Sequence, residues 1–467
     1  MATSKLSTLT SNIGNFKISL GTELFTNNAG LSLVGLALSK FAKLSEKINK
    51  AIPKRSGLSL GEIATSYIGL LCTGKSDFDA IENHRQDEFY REALGLQSVP
   101  AASTLRMQMD ASAEKLIPLV DESIVSLIKN SKAPITPLSC GIVPFDIDVF
   151  TQDNSRTKKE GVSRTYAGMD GYAPIAGYLG QEGWCVLIEL REGKHFSSRE
   201  TDYSMQRALP RVCELTSEPV LVRWDSGFHN IVLGHQIAEA SKEREKLGGK
   251  PIHYLVKGNP RRMNISELHA ECVNSKKIAC VTREGKRYWI WETPKNHKLK
   301  GEELPYRRIN RLIERTIDAK GQALLVPKIE FDFWDTTLPV RFKPIEVINL
   351  YCDHGTHEQF HSEFKTDLDL ERLPSGKFNT NDLVMTMAAL AYNVLRLMGQ
   401  SALLSEDAPI RHKAKRRRLK TVMQELIYVS AKVVKHAKQR ILNFGRHNPA
   451  FVVFDRLYRH WFALKTC

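Results

Sequence analysis

Four side chains that could do chemistry, Tyr351, His354, Glu358 and Lys365, follow one another at spacings of three, four and seven residues. In one continuous helix, which turns by roughly 100° per residue, they fall within an arc of about 60°. Amine and imidazole groups can contact phosphate, and a carboxylate can hold a hard cation. The same spacing also fits the solvated face of an ordinary amphipathic helix.

The elements around these residues leave two arrangements open. Phe360 and Phe364 point away from the polar face, where a core can take them. Gly355 offers an alternative, in which the helix breaks and a new one begins with Thr356 as its N-cap. Only Glu358 and Lys365, two turns apart, then strictly share a face.

Two further acids lie on a predicted strand. Residues 142–150 alternate in polarity, with Asp146 and Asp148 on one side and apolar residues on the other. Carboxylates on an otherwise apolar strand are costly unless they are solvated or bind a cation. The strand is therefore a candidate to supply a metal ligand.

Asp225 comes directly after a short strand of the buried type, residues 219–224, and is followed by Ser226 and Gly227. In an open α/β sheet, the carboxyl ends of strands are where chemistry takes place. The alternative is that Asp225 only caps a turn or helix. Its position between the other acids favours a catalytic role.

Two long stretches carry a resemblance to a known family. YCDHGTHEQFHSEFKTDLDLERLPSGKFNTNDL and DNSRTKKEGVSRTYAGMDGYAPIAGYLGQEGWCVLIELREGKHF resemble bacterial insertion-sequence transposases of the DDE superfamily. The similarity is to the cut-and-paste class with the signature Tyr, two residues, Arg, three residues, Glu, six residues, Lys, and most of all to insertion-sequence family thirteen-eighty. Tyr351, Glu358 and Lys365 match this signature, whereas His354 stands where most of the class has arginine.

The resemblance implies an α/β fold in which a mixed-sheet, RNase H-like catalytic core carries a β-rich insertion. It further implies two Mg²⁺ ions, for which Mn²⁺ can substitute, held by Asp148, Asp225 and Glu358, with Asp146 as the alternative first ligand. Tyr351, Lys365 and His354 would position phosphate. The implied activity is cleavage of DNA at the ends of the protein's own element, followed by joining of the 3′-OH ends to target DNA.

The composition limits the number of domains, the cellular compartment and the kind of partner. The 467 residues suggest two to four domains, no apolar run is long enough for a membrane span, and the eight cysteines form no C-x-x-C pair. Residues 411–467 hold 15 Lys and Arg against two acids, a net charge of +13, whereas the remainder is nearly neutral. These features favour a protein of the reducing cytoplasm, associated with the bacterial nucleoid, whose partner is DNA. A homodimer on DNA is the expected assembly.

We expect five regions along the chain. They are a helical N-terminal DNA-binding region at 1–140, the first part of the core at 141–260, the β-rich insertion at 261–342, the second part of the core with the Glu358 helix at 343–409, and a basic helical tail at 410–467.

Three groups of residues are predicted to contact DNA. Residues 100–108 read as a turn and a capped helix, like the second half of a helix-turn-helix, although an ordinary surface helix fits equally well. The insertion interleaves aromatic and basic residues, which suits stacking on unpaired bases as well as packing between strands. The tail opens with a dense basic run suited to phosphate, or simply to solvent. The predicted contacts are Thr104, Arg106, Gln108, Trp334, Arg416, Arg417 and Arg418.

Two other classes of protein fit the same residues. A metal-dependent nuclease of the RNase H type would need the acids but no strand transfer. A DNA-binding protein derived from a transposase would need neither, and the intact set of acids argues against it.

Overall fold

The computed structural model describes residue 18 and residues 20–465, except 262, 276, 277, 279, 284, 319, 411 and 438, with backbone only at 354, 356 and 357. The helices are α1 Leu31–Leu36, α2 Leu44–Ala51, α3 Leu60–Cys72, α4 Glu88–Ala93, α5 Ala102–Asn130, α6 Thr201–Leu215, α7 Ile231–Lys246, α8 Ile265–Asn274, α9 Pro344–Cys352, α10 His357–Ser362, α11 Phe378–Ala402, α12 Leu419–Val422 and α13 Phe451–Ala463. Short 3₁₀ turns lie at Phe78–His84, Ser226–Phe228 and Asp353–Thr356, and π-helical turns at Ala37–Ala42, Glu363–Asp367 and Met423–Ile427.

The strands are β1 Leu24–Thr26, β2 Val143–Val149, β3 Gln152–Asp153, β4 Ser163–Arg164, β5 Asp170–Tyr172, β6 Ile175–Leu179, β7 Trp184–Glu189, β8 Val220–Trp224, β9 Ile252–Lys257, β10 Cys280–Arg283, β11 Lys286–Leu299, β12 Glu302–Ile317, β13 Ala323–Thr336, β14 Ala431–His436 and β15 Gln439–Phe444. None of the described helices is long and apolar enough to cross a membrane.

A nine-stranded mixed sheet organises the middle of the chain, in the order β7-β6-β2-β8-β9-β13-β12-β11-β10. The strands β2, β6 and β7 form an antiparallel meander, and β8 and β9 then run parallel to β2. Strand β13 pairs antiparallel with β9 and begins the run of long strands that ends at β10. The chain is thus an α/β protein built on one large mixed sheet.

The two faces of β2 pack into different cores. Val143, Phe145 and Ile147 join the large core that also contains α5 and α11, whereas Ile142 joins a smaller one with Trp334 and residues of α9. Since side chains alternate along a strand, Asp146 and Asp148 lie on the face of Ile142, towards α9. The predicted separation of acids from apolar residues on this strand is confirmed.

Several predicted elements of the middle region are confirmed. The predicted helix and strand before Asp225 are α6 and β8, and the βα alternation continues through α7 and β9. The hairpin predicted around Gly285 joins β10 to β11, with Arg283 opposite Lys286. The insertion therefore does not stand apart as a separate sheet but lengthens the central one.

The N-terminal helices pack around α11, and α5 is the longest helix among them at 29 residues. A stripe on α5 that includes Leu105, Leu116 and Leu127 is fully buried, which explains why the helix runs far beyond the short recognition helix of a helix-turn-helix. Its N-cap, Ala101, makes no side-chain capping bond; Glu82 instead accepts from the Ala102 N–H at 2.7 Å. The predicted side-chain cap is therefore wrong.

The predicted all-helical tail is also wrong. Among the described residues of the tail, only α12, its π-helical extension and α13 are helical; between them β14 and β15 form a hairpin, and β14 also pairs with β1 near the N-terminus. Ala431 and Val433 are buried while their neighbours are not, which is the two-residue period of a half-buried strand. Helical spacing therefore holds for Val422 and Leu426 but does not continue to Val433.

Candidate active site

Asp146 forms a buried ion pair with Arg223. Its two carboxylate oxygens accept from Arg223 Nε at 2.6 Å and Nη2 at 2.8 Å, and Arg223 also donates to the Leu350 carbonyl at 2.6 Å. Both partners are almost fully buried. A bidentate pair of this kind ties β2, β8 and α9 together. Of the two acids considered for the first metal position, Asp146 is thus already paired with a buried arginine, and the choice between the two stays a prediction.

Asp148 and Asp225 are neighbours across two parallel strands. Asp146 lies opposite Arg223 in the β2–β8 register, and Asp225 continues β8 in extended backbone conformation. The same register carried two residues further places Asp148 opposite Asp225, on the same face of the sheet. Adjacent strands lie about 4.8 Å apart, so this extended register would set the two side chains next to each other near the carboxyl ends of β2 and β8.

Both carboxylates are partly exposed, and each accepts a local backbone hydrogen bond. The Val149 N–H donates to Asp148 Oδ1 at 2.8 Å, and the Gly227 N–H donates to Asp225 Oδ1 at 2.9 Å. Asp225 thus also caps the 3₁₀ turn after β8, as the alternative interpretation predicted. Capping through one oxygen and binding a ligand through the other are compatible roles for a carboxylate.

Two tyrosines surround this pair of acids. Burial raises the pKa of Tyr351, and the charges of Asp225 and Asp148 raise it further. The pKa of Tyr166 is also raised, first by burial and then by the same two aspartates. Both phenols therefore remain protonated at neutral pH.

The segment with Glu358 is not one continuous helix. Helix α9 ends at Cys352, a 3₁₀ turn covers Asp353–Thr356, α10 begins at His357, and the π-helical turn Glu363–Asp367 follows. The break at Gly355 is therefore confirmed, and the arc of about 60° expected for an unbroken helix is wrong. A π-turn also rotates Lys365 away from the position that α-helical spacing assigns to it.

Glu358 is exposed near the start of α10, and Lys365 Nζ lies 3.1 Å from Glu371 Oε2. The side chain of His354 lies outside the described residues. No group of three or more His, Cys, Asp or Glu side chains in the described part is arranged to hold one metal ion. The structure thus brings Asp148 and Asp225 together, and Glu358 as the third ligand stays a prediction.

The apolar side of this helical segment is anchored in the core. Phe360 and Phe364 are buried, as predicted, and Phe364 stacks on Tyr392 of α11 with ring centroids 4.8 Å apart. Glu363 is fully buried and pairs with Arg396 of α11. These contacts hold the segment against α11 and leave the side of Glu358 exposed.

His361 is a site residue that sequence reasoning missed. Its Nδ1 lies 3.9 Å from Asp148 Oδ2, and its ring stacks on Phe150 with centroids 4.5 Å apart. The imidazole is buried beside the carboxylate. Spacing alone could not reveal it, because His361 lies three residues after Glu358 and reaches Asp148 only through the tertiary fold.

Trp334 is not available to stack on bases. Its side chain is only 1% exposed, packed in the smaller core against Tyr351, with ring centroids 5.9 Å apart, and beneath the guanidinium of Arg311. The prediction is wrong because the strand turns this face towards α9. What Trp334 does is support the ring of Tyr351.

Five arginines of the insertion are likewise engaged within the protein. Each of these five pairs across the sheet with a carboxylate, and the bidentate contact of Arg308 with Asp335 at 2.8 and 2.9 Å is representative. The other pairs are Arg287–Glu314, Arg307–Glu292, Arg311–Asp332 and Arg315–Glu330. Cross-strand pairs of this kind neutralise the basic residues and stabilise the long strands.

The three tail arginines that were predicted to contact phosphate also bind groups of the protein itself. Arg417 is buried and donates to the carbonyls of Leu403 and Ile410. Arg418 donates to both carboxylate oxygens of Asp367 at 2.9 Å. Arg416 donates to Gln359 at 2.9 Å and lies over the ring of Phe360. These contacts fasten the tail to the Glu358 segment, so the run is largely structural.

This arrangement predicts that the buried cations of the tail stabilise the fold, whereas its exposed cations bind DNA. We expect Arg417→Met to lower the free energy of unfolding by about 1–3 kcal/mol, because two buried carbonyls lose their donor. The salt dependence of DNA binding should not change in this variant. Replacing the exposed Lys413 and Lys415 with glutamine should instead reduce the slope of log K against log[salt] by up to about 1.8.

Urea unfolding and DNA titrations at several salt concentrations test both expectations. A reduced slope with unchanged stability in Arg417→Met would show that this guanidinium contacts phosphate after all. An unchanged slope in the double lysine variant would show that phosphate is bound elsewhere on the protein.

The N-terminal candidates have only weak internal partners. Arg106 lies 3.5 Å from Asp79 in an exposed pair, and Gln108 accepts from Lys54 at 3.5 Å. Thr104 is partly exposed on the same first turns of α5. Exposed pairs at this distance contribute little to the stability of the fold, so these side chains can leave their partners and contact DNA instead. Their role in DNA binding stays a prediction.

Comparison with known proteins identifies the family. The sequence profile described as "Transposase DDE domain group 1" matches residues 20–466, almost the whole chain. The chain therefore belongs to this family of DDE-type transposase domains. The expected membership of the DDE transposases is thereby confirmed, while the particular insertion-sequence family stays a prediction.

No curated protein matches the sequence. Among solved structures, a likeness is found to the cryo-EM structure of the piggyBac transposase in a synaptic complex with hairpin DNA. The identity is 9%, the TM-score is 0.41, and the alignment covers 93% of this chain and 82% of that one. A likeness this distant supports no inference about this chain.

Proposed function

We propose that this protein is an active DDE transposase that cleaves DNA at the ends of its own element and joins the freed 3′-OH ends to target DNA. The observation that carries the proposal is the placement of Asp148 beside Asp225, at the carboxyl ends of two adjacent parallel strands. That edge of an α/β sheet is where catalytic groups collect. Family membership supplies the reaction class, phosphoryl transfer on DNA.

The strand order supports an RNase H-like core. Strands β2, β6 and β7 form the antiparallel meander that opens with an acid, and β8 and β9 add two parallel strands on the other side of β2. The first acid then lies on the first strand of the core and the second acid follows the fourth. The strands β10–β13 are an insertion between the second and third acids.

The donor set fits a hard divalent cation. Asp148 and Asp225 contribute carboxylate oxygens from neighbouring strands and are partly exposed, which leaves room for water, and Mg²⁺ favours such ligands. When bound there, a pair of divalent ions supplies activation of the attacking oxygen and stabilisation of the leaving oxygen. Glu358 would complete the set from the start of α10.

The remaining side chains bind and orient the substrate. Tyr351, whose pKa is raised, keeps its O–H and donates it to a phosphate oxygen beside the acids. Lys365 provides a positive charge and exchanges Glu371 for phosphate when DNA binds. His354 takes the place that arginine has in the signature. His361 holds the carboxylate of Asp148 in position.

DNA is the partner, and two regions outside the core are proposed to hold it. Thr104, Arg106 and Gln108 lie at the exposed start of α5, and Lys413 and Lys415 provide exposed charges in the tail. A homodimer would bring two element ends together. The seven cysteines in the described part form no disulfide, in keeping with the reducing bacterial cytoplasm.

A plasmid that carries the coding sequence with its natural flanking DNA tests the proposal. Incubated with the purified protein and Mg²⁺, a transposase releases the element and inserts it into a second plasmid, and EDTA prevents both steps. A nuclease only degrades the plasmids, and a repressor derived from a transposase binds without cutting. Either of these two results overturns the proposal.

A further inference from the structure

Two histidines from distant parts of the chain meet where the insertion contacts the core. His235 Nε2, on α7, lies 3.1 Å from His297 Nδ1, on β11. Both residues are partly exposed, so the pair is open to solvent. Because one of two facing ring nitrogens has to accept the hydrogen bond, at least one of the rings is neutral. Neutral imidazole is also the form of histidine that binds metal ions.

The hairpin that carries His297 is held firmly against α7. Its two turn residues, 300–301, have φ angles of 50° and 88°, as a two-residue type I′ turn requires, and such a turn fixes the register of the strands. In this register Leu304 lies opposite His297. Leu304 packs so closely on Gly234 that a Cβ there would lie 3.1 Å from its Cδ2. Because His235 directly follows Gly234, this packing sets the two imidazoles side by side.

A carboxylate lies on the same face of this hairpin. Glu302 precedes Leu304 by two residues on β12, and side chains two residues apart share a face, so Glu302 lies diagonally across from His297. With His235 and Lys242 it lines an open cavity of about 770 Å³ between α7 and the hairpin. Glu302 pairs with Lys242 at 2.9 Å, and both side chains are largely exposed. Since an exposed pair contributes little to stability, Glu302 can leave Lys242 for a cation at the histidines.

The distance and the protonation state of the pair both suit a metal ion. Ring nitrogens bind Zn²⁺ at about 2.0–2.1 Å, so two of them at bond angles of about 90–109° are roughly 2.9–3.4 Å apart. The 3.1 Å between His235 and His297 falls within this range. Burial and then the neighbouring His297 lower the pKa of His235, while Glu302 acts in the opposite direction. A lowered pKa keeps the imidazole unprotonated at neutral pH, as a metal ligand requires.

The geometry points to a binding site for a divalent ion of the Zn²⁺, Ni²⁺ and Cu²⁺ type, with His235 and His297 as its ligands and Glu302 as the group that completes it. The described residues contain no preformed group of three ligands, so water fills the positions around a bound ion that the protein leaves open. Imidazole suits these ions, whereas Mg²⁺ prefers oxygen ligands. The site therefore selects a different cation from the acid pair.

This histidine site lies on the other side of the sheet from the acid pair. Leu233 and Ile237 of α7 pack in the large core, whereas Val347 and Ile348 of α9 pack in the smaller one. The two aspartates lie on the face of α9, so the sheet separates them from the histidines. An ion bound by α7 and β11 fastens the insertion to the core. The inference goes beyond the proposed function and does not depend on it.

Titration of the untagged full-length protein with Zn²⁺, in the presence of millimolar Mg²⁺, tests the site. We expect Zn²⁺ to raise the melting temperature of wild type, because an ion that binds only the folded state stabilises it. His235→Gln and His297→Asn keep a polar group near the contacting nitrogen but lack imidazole, and each should weaken Zn²⁺ binding by at least about tenfold, since even groups that only orient metal ligands are worth 10- to 100-fold. Glu302→Gln should weaken it in the same direction, and an unchanged affinity would remove Glu302 from the site.

The electron paramagnetic resonance spectrum of bound Cu²⁺ counts the coordinating nitrogens, which should be two in wild type and fewer in either histidine variant. His447→Asn is the matched control, because it removes an exposed histidine away from the pair and should bind like wild type. Equal Zn²⁺ affinity in wild type and His297→Asn overturns the site. Loss of the two-nitrogen signal in Asp148→Asn also overturns it, since the ion then lies at the acid pair. Melting temperatures without Zn²⁺ show that each variant is folded, and cleavage with Mg²⁺ alone tests the proposed function separately.

Discussion

The Asp225→Asn variant should lose DNA cleavage by more than about 100-fold, since even partners that only orient metal ligands are worth 10- to 100-fold. Asparagine keeps the side-chain oxygen that caps Gly227, so the turn after β8 should survive. The proposed function assigns most contacts to the DNA backbone to other residues, so the affinity for DNA should stay within about tenfold of wild type. Cleavage of labelled plasmid ends and DNA titration measure the two properties separately.

Asp148→Asn should behave in the same way, because the two carboxylates occupy equivalent positions on neighbouring strands. Asp407→Asn is the matched control: it changes an exposed Asp that pairs with Arg456 and should leave cleavage within about twofold of wild type. Cleavage near the wild-type rate in Asp225→Asn would remove this residue from the active site.

The second large effect concerns the ion pair beneath the Glu358 segment. Glu363 and Arg396 are 0% and 1% exposed, and Arg396 also donates to Tyr392 and to the Arg417 carbonyl, each at 2.7 Å. We expect Arg396→Met to lower the free energy of unfolding by about 3–5 kcal/mol, because it leaves a carboxylate buried without its cation. Urea unfolding at neutral pH measures the change.

Two comparisons make this prediction specific to the buried charge. The double variant Arg396→Met, Glu363→Gln should recover most of the lost stability, because no ionised group then remains in the core. Lys129→Met removes a half-exposed pair with Glu214 and should cost less than about 1 kcal/mol. A double variant no more stable than Arg396→Met would show that lost packing, rather than an unpaired charge, causes the effect.

The pH dependence of the stability of the Arg396→Met variant follows from the buried carboxyl group of Glu363. Burial raises the pKa of Glu363 even in the presence of Arg396, and removing the arginine raises it further. A carboxyl whose pKa is higher in the folded than in the unfolded state favours folding at low pH, and this contribution is lost as the pH rises through the folded pKa. The variant should therefore approach the stability of wild type as the pH falls towards 5, and differ most from it at alkaline pH.

The local structure around the site was largely predictable. Alternation around Asp146 and Asp148 predicted a strand with acids on one face, and the apolar run before Asp225 predicted a buried strand; both strands are confirmed as β2 and β8. Gly355 indicated the helix break because glycine weakens a helix wherever it occurs. Such features depend on neighbours in the sequence, so periodicity and turn residues are sufficient to find them.

The DNA contacts predicted from charge and aromatic content are wrong where the side chains contact residues that are distant in the sequence. Arg417 and Arg418 lie in a basic run that resembles a phosphate-binding surface, yet their donors are used by carbonyls and by Asp367. Trp334 lies among basic residues in the sequence and is buried in the fold. Composition reports which groups are present, whereas burial and pairing depend on elements that are far apart in the chain.

By itself, the sequence determined the order of the elements in the middle of the chain, the positions of two acids at or near strand ends, and the resemblance to the transposase family. Only the tertiary structure shows that Asp146 is paired with Arg223, because that contact depends on the register that sets Arg223 opposite Asp146 across 77 residues of chain. The same is true of His361 beside Asp148 and of His235 beside His297. A side chain's type is encoded at its own position, but what it can do is set by the groups that folding brings within a few ångströms of it.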